Sequence, residues 1–169
     1  MKKNHNLMLI VVVVVILFAS APWALAMSDK IIKQRIEGEA ADTFRLRGTK
    51  VDLAVEDGYV VLYGTVGLYI QKMLYEQIAW KTKGVVEVDN EIRVLPGLPQ
   101  SDAGIKHKIM ELSQTNHRFR GIKIVITVIK GDVHIRTTLE HPRDVLFLKH
   151  RVAEIKGVIS IDIQAKFVV

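Results

Sequence analysis

Residues 51–66 read VDLAVEDGYVVLYGTV, and residues 124–139 read IVITVIKGDVHIRTTL. In the first stretch, β-branched and aromatic residues run to Asp57-Gly58, turn, and run back, which is the pattern of a β-hairpin. The second stretch lies 73 positions further on (51 to 124, 66 to 139), with no insertion or deletion between them. The chain is a tandem repeat. Val51, Leu53 and Val55 with Val60, Leu62 and Gly64 form one face of the first hairpin; Asp52, Ala54 and Glu56 with Tyr59, Val61 and Tyr63 form the other. Ile124, Ile126 and Val128 with Val133, Ile135 and Thr137 are the matching inward set of the second. One face of each hairpin is expected to be buried and the other partly wet.

Each hairpin has the same neighbours. Ahead of the first, Ser28-Asp29 reads as a helix N-cap, and Ile32, Ile36 and Ala40 fall at helical spacing on one stripe. Leu46, in the loop after that helix, is expected to plug the end of the core. Behind the hairpin a helix is predicted from about Leu68 to Lys81, ended by Gly84, and then a third strand in which Val86, Val88, Ile92 and Val94 point inward. The second repeat retraces this order. Ser101-Asp102 caps a helix with Ile105, Ile109 and Leu112, and Phe119 answers Leu46. Pro142 opens the next helix, Gly157 ends it, and Ile159, Ile161, Ile163 and Phe167 face inward from the last strand. The predicted fold class is α+β: two tandem αββαβ domains, each a three-stranded sheet with two helices on one face.

The predicted boundaries are a signal peptide at 1–26, a first domain at 29–95, a linker at 96–101 and a second domain at 102–169. Lys2 and Lys3, the apolar run Leu7 to Phe18 and the Ala24-Leu25-Ala26 ending have the form of a secretory signal cut after Ala26. The rival reading is an uncleaved inner-membrane anchor over 7–26. Leu95-Pro-Gly-Leu-Pro99 makes a short, stiff linker, because its prolines remove donors and Gly97 adds a bend. The chain has no cysteine, which excludes disulfides, thiolate metal sites, a cysteine nucleophile and a lipid on an N-terminal cysteine.

The net charge of +6 is unevenly spread. Residues 28–97 carry 10 Lys or Arg against 11 Asp or Glu, and residues 98–169 carry 12 against 7. His107, His117, His134, His141 and His150 also fall in the second repeat, so mild acid makes it more cationic still. In an exported chain such a surface points to anionic lipid, an acidic polymer or an acidic protein more readily than to nucleic acid.

In its first copy the pattern Asp57-Gly58, Leu62-Tyr-Gly64-Thr-Val66, Ile78-Ala79, Gly84-Val85, Val88, Asn90 and Val94 resembles the BON domain, named for bacterial osmotically induced and nodulation proteins. The second copy keeps Gly131, Val133, Ile135, Val152, Gly157-Val158 and Ile161. It departs at Lys130 before the turn glycine, at Thr137 in place of Gly, and at Ile163 in place of Asn. The resemblance implies a non-enzymatic periplasmic protein of the cell envelope, linked to osmotic stress or membrane integrity. Some dual-BON lipoproteins bind anionic phospholipid through a helix of the second domain. This chain lacks their lipid-bearing cysteine and looks more like the soluble type.

The residues left over after the core is filled supply the candidate site. Val145, Leu148, Val152 and Ile155 use up the inward stripe of the 142–156 helix. Leu146 and Phe147 remain, flanked by Arg143, Lys149, His150 and Arg151, and such a cationic border round an apolar pair suits an anionic phospholipid surface. In the first repeat Tyr75, Ile78 and Ala79 satisfy the core. Tyr69, Ile70, Met73, Leu74 and Trp80 then cover a second face of that helix, expected to meet the other domain or a partner. Packing is the simplest role for Tyr59, Val61 and Tyr63 on the outer sheet face.

No catalytic residues, cofactor or metal are expected: no Ser, His and acid grouping has recognisable local context, and the histidines lack metal-ligand spacing. The Gly64-Thr-Val-Gly67 run has the form of a phosphate clamp. Thr137 and Glu140 replace both glycines in the other copy, and no nucleic-acid partner is expected. The partners expected are an anionic phospholipid membrane surface or, alternatively, another envelope protein held by a chaperone-like module.

Overall fold

The computed structural model describes residues 28–97, 100–119 and 121–168; the predicted signal peptide, with its rival anchor reading, lies outside them. Among the described residues no helix is long and apolar enough to cross a membrane. The first half of the chain runs α1 (Asp29–Asp42), a 3-10 turn (Phe44–Leu46), β1 (Lys50–Glu56), β2 (Tyr59–Val66), α2 (Tyr69–Lys81), β3 (Glu87–Asn90) and β4 (Arg93–Val94). The second half runs α3 (Asp102–Thr115), a 3-10 turn (His117–Phe119), β5 (Ile124–Ile129), β6 (Asp132–Leu139), α4 (Pro142–Ala153) and β7 (Ser160–Phe167). The fold is α+β, with two sheets and the αββαβ order in each half.

In each half an antiparallel hairpin is joined by a helix to a strand that returns parallel to the hairpin's second arm. Val55 thus faces Val60 and Tyr59 faces Glu87, while Val128 faces Val133 and Asp132 faces Ser160. The inward stripes close two separate cores. Ile32 and Ile36 of α1 pack with Leu53, Leu62 and Ala79, and Ile105 and Ile109 of α3 with Ile135, Leu148 and Val152. Leu46 and Phe119 are both buried in the 3-10 turns, as plugs should be.

The two aspartates at the helix starts do more than begin a helix. The Asp29 carboxylate accepts the backbone N–H groups of Asp57 and Gly58, each at 3.0 Å. The Asp102 carboxylate accepts those of Lys130 and Gly131, at 2.8 and 2.9 Å. Both turns hold two successive residues at positive φ (49° and 80°; 52° and 86°), the conformation that matches the twist of a tight hairpin. Lys130 is poorly suited to it, having neither the freedom of glycine nor the short side chain of Asn or Asp. Each aspartate therefore clamps its turn to the helix beneath it, and Asp102 does so for a turn that Lys130 strains. Replacing Asp102 by alanine is expected to cost about 2 kcal/mol, the scale of charge-assisted bonds to partly exposed donors. Urea unfolding followed by circular dichroism measures it. A loss below about 0.5 kcal/mol would mean that water serves the turn as well as the carboxylate does.

Four expectations need correction. Ser28 occupies the N-cap position of α1, but its hydroxyl makes no capping bond; Ser101 does cap α3, accepting from the Gly104 N–H at 3.1 Å. Val86 and Ile159 are exposed rather than inward. A Cβ on Gly58 or Gly131 would lie 3.0 Å from their side chains, so they cover the turn glycines instead of the core. Phe167 is also exposed, at the end of β7, an edge strand with a neighbour on one side only. The third strand of the first half is broken in two between Asn90 and Arg93.

Candidate functional site

Helix α4 starts at Pro142, where a missing N–H costs nothing, and turns Leu148 and Val152 fully inward with Val145 half-buried beside them; it ends at Ala153, short of the expected 156, so Ile155 lies past its end and is half-buried there. Its outer side carries the predicted surface. Leu146 is 63% exposed, Arg143 is exposed, and Lys149 and His150 are half-buried. No carboxylate among the described residues forms an ion pair with Arg143 or Lys149.

The structure separates Phe147 and Arg151 from this group. Phe147 is half-buried against Phe119, with ring centroids 6.0 Å apart, and the Arg118 guanidinium lies 4.8 Å above its ring. Arg118 is held in turn by Asp144, a buried carboxylate on the first turn of α4, at 3.0 Å. Phe147 is thus the lid of the second core, and of the apolar pair Leu146 alone stands clear. Arg151 is paired with Glu154 at 2.6 Å, and the same Glu154 accepts from Arg45 of the first half. The cationic border that remains is Arg143 and Lys149, with the His150 imidazole beside them.

The second candidate face lies on α2. Tyr69 packs against both cores, and its phenol is pushed above its ordinary pKa by burial first and by the Glu76 carboxylate second. Leu74 packs on the first core, Met73 is half-buried, and Trp80 is 52% exposed. Ile70 is 2% exposed. It stands about 180° round the helix from Ala79, so the first core does not bury it. Helix α2 touches α4 directly, and Tyr69 and the Arg45–Glu154 pair join the halves at the same seam.

Arg45 and Glu154 were missed from the sequence, although the repeat held a clue. Arg45 and Arg118 are equivalent, each just before its plug residue. Arg118 finds its acid at position 144; the matching position in the first half is Gln71, whose amide donates to the Arg45 carbonyl at 2.9 Å and leaves the guanidinium without a local carboxylate. A cation deprived of its local partner reaches for a distant one.

A cleft of about 730 Å³ opens between the end of the first sheet and the linker, with Arg47, Lys50 and Lys156 on its walls. Its lining has no histidine and no carboxylate, so it presents no base for proton transfer. His134 lies 3.6 Å from Asp162 on the open face of the second sheet, both about half exposed. Among the described residues no three His, Cys, Asp or Glu side chains are placed to hold a metal ion.

Residues 28–96 match the BON domain family. No curated protein matches the chain. Among solved structures, the chain is similar to the C-terminal domain of CdsD, the structural protein of the Type III secretion system of Chlamydia trachomatis. There the identity is 10%, the TM-score is 0.35, and 85% of this chain and 68% of that one are covered. A second structure of CdsD aligns at 17% identity and a TM-score of 0.33, over 79% of this chain and 59% of that one.

Proposed function

We propose, from the BON domain at residues 28–96, that this is a non-enzymatic protein of the bacterial periplasm that associates with anionic phospholipid through α4 of a second, diverged BON-like domain. The observation that carries this reading is the outer side of α4: an exposed leucine, Leu146, among Arg143, Lys149 and His150. Each cation near an anionic surface is worth about 1 kcal/mol, and a single buried leucine adds about 2 kcal/mol. Together they give reversible attachment, not permanent anchoring. The 73-residue offset between equivalent elements (Asp29 to Asp102, Tyr59 to Asp132) supports reading residues 102–169 as the second copy. An envelope-stress role, export by residues 1–26 and a second domain bounded at 102–169 belong to the same proposal.

Flotation of the chain from Met27 with anionic and with neutral vesicles is the test. Binding is expected to anionic vesicles only, to weaken as salt screens the lysine and arginine contacts, and to fall roughly a hundredfold or more in Arg143→Glu/Lys149→Glu. Leu146→Glu should also release the protein. Binding to neither vesicle type removes the lipid reading. The alternative, a protein-interaction or chaperone-like module, is favoured by one observation: the half-exposed Trp80 on α2. Contacts made through that indole should persist in high salt, which separates the two readings.

A further inference from the structure

The outer faces of the two sheets have diverged in charge, while the aliphatic pairs that face inward from the two hairpins have not. Inward, Leu53, Val55, Val60 and Leu62 answer Ile126, Val128, Val133 and Ile135, one aliphatic for another. Outward, the first sheet carries Asp52 beside Tyr63, Glu56 and Glu87 on either side of Tyr59, and Asp89 beside Val61. All four carboxylates are exposed, and the tyrosines are 51% (Tyr59) and 43% (Tyr63) exposed. The cations of that face, Lys50 and Arg93, are confined to its end beside Thr65.

At the positions of Asp52 and Glu56 the second sheet has Val125 and Ile129, 43% and 58% exposed. Lys123 and Lys166 answer Lys50 and Arg93 at the same end of the sheet, but where the first has Tyr63 the second adds Arg136, and the three cations border a shallow depression that no carboxylate lines. The acids of this face are engaged locally: Asp132 accepts from the Ser160 hydroxyl at 2.6 Å, and Asp162 lies by His134. One face is therefore an aromatic ridge with an acidic rim, and the other an aliphatic strip with a basic rim.

The halves meet through α2, α4 and the first 3-10 turn, on the helix side of each sheet. The two outer faces cannot cover each other within one copy. We propose that the outer face of the first sheet docks on the outer face of the second sheet of another copy, so that the chain self-associates head to tail. A contact between unlike faces that look away from each other leaves a free face at both ends, so growth is not closed at two copies. Three strands of about seven residues, about 4.8 Å apart and rising about 3.3 Å per residue, cover roughly 330 Å² in projection. This is well below the roughly 800 Å² per partner of a standard interface, so the association is weak, salt-sensitive and steep in concentration.

Sedimentation of the chain from Met27 at roughly 0.1–1 mM tests this in low and in high salt. The expected result is a mass that rises past twice the monomer in low salt and returns to the monomer in high salt. Glu56→Lys/Asp89→Lys makes both faces basic, and Arg136→Glu/Lys166→Glu makes both acidic. Each variant alone is expected to stay monomeric, and an equimolar mixture of the two to associate again. A monomeric wild type, a mass that stops at the dimer, association of either variant alone, or a mixture that stays monomeric overturns the proposal. The substituted positions are all exposed, and circular dichroism of each variant confirms that the fold is kept.

Discussion

Gly64→Ala is expected to destabilise the first half of the chain by about 3 kcal/mol or more, from backbone geometry alone. Gly64 sits in β2 opposite Val51 with φ at 127°, a conformation that side chains rarely adopt. A Cβ there would collide with the Lys50 carbonyl oxygen and lie 3.0 Å from the Val51 Cα. Both atoms belong to the backbone of β1, so relief requires the strand to move and its ladder to loosen. Against a total stability of roughly 5–15 kcal/mol for a domain, that loss leaves the first sheet close to unfolding. Hydrogen exchange resolves the halves: amides of β1 and β2 should lose protection while those of β5 and β6 keep it. A change below about 1 kcal/mol would show that the strand yields cheaply at this point.

The second half solves the same position differently. Thr137 stands there without a positive φ, buried, and its hydroxyl donates to the Lys123 carbonyl at 3.3 Å, the counterpart of the oxygen that Gly64 approaches. One copy lets the backbone approach closely; the other bridges the gap with a side chain. Gly64→Thr is therefore expected to fail as Gly64→Ala does.

Such pairs mark what was legible in the sequence. Alternation at period two and stripes at period 3.6 depend on which side of an element faces the core, and that side is the same in both copies. The hairpins, the helix stripes and the plugs Leu46 and Phe119 could thus be read directly. The break in the third strand could not. The Asn90 amide turns from the sheet to donate to the Lys72 carbonyl at 3.2 Å and to Glu76 at 3.0 Å, and its oxygen accepts from the Ile92 N–H at 3.3 Å. Ile163 has no such group, and β7 runs unbroken from Ser160 to Phe167. The candidate site was legible to the same degree. Leu146 could be found as a residue left outside the core stripe, and Glu154 lies three residues beyond Arg151, at a spacing that helical periodicity displays. The partners that claim Phe147, namely Arg118 and Phe119, and the Arg45 that shares Glu154 come from distant positions, and no local period encodes those contacts.

Phe119→Ala is expected to cost the second half about 4 kcal/mol, within the 3–5 kcal/mol typical of a buried phenylalanine cut to alanine. Among the described residues Phe119 is the largest fully buried side chain, at 1% exposure, and it closes the end of a core of marginal size. Its loss also strips Phe147 of its ring partner and loosens the stack that Arg118 and Asp144 hold above it. Urea unfolding should show β5, β6 and β7 melting ahead of the first sheet. Phe119→Leu is the informative companion, because the first half uses leucine at this very place, as Leu46. A swap between large aliphatic and aromatic residues should cost about 1–1.5 kcal/mol and leave the fold intact. It should nevertheless free the Phe147 ring toward solvent beside Leu146. If α4 meets the membrane as proposed, Phe119→Leu should then bind anionic vesicles more tightly than the wild type. Unchanged or weaker binding would mean that Phe147 serves the core alone, and that any membrane contact on α4 rests on Leu146 and its basic border.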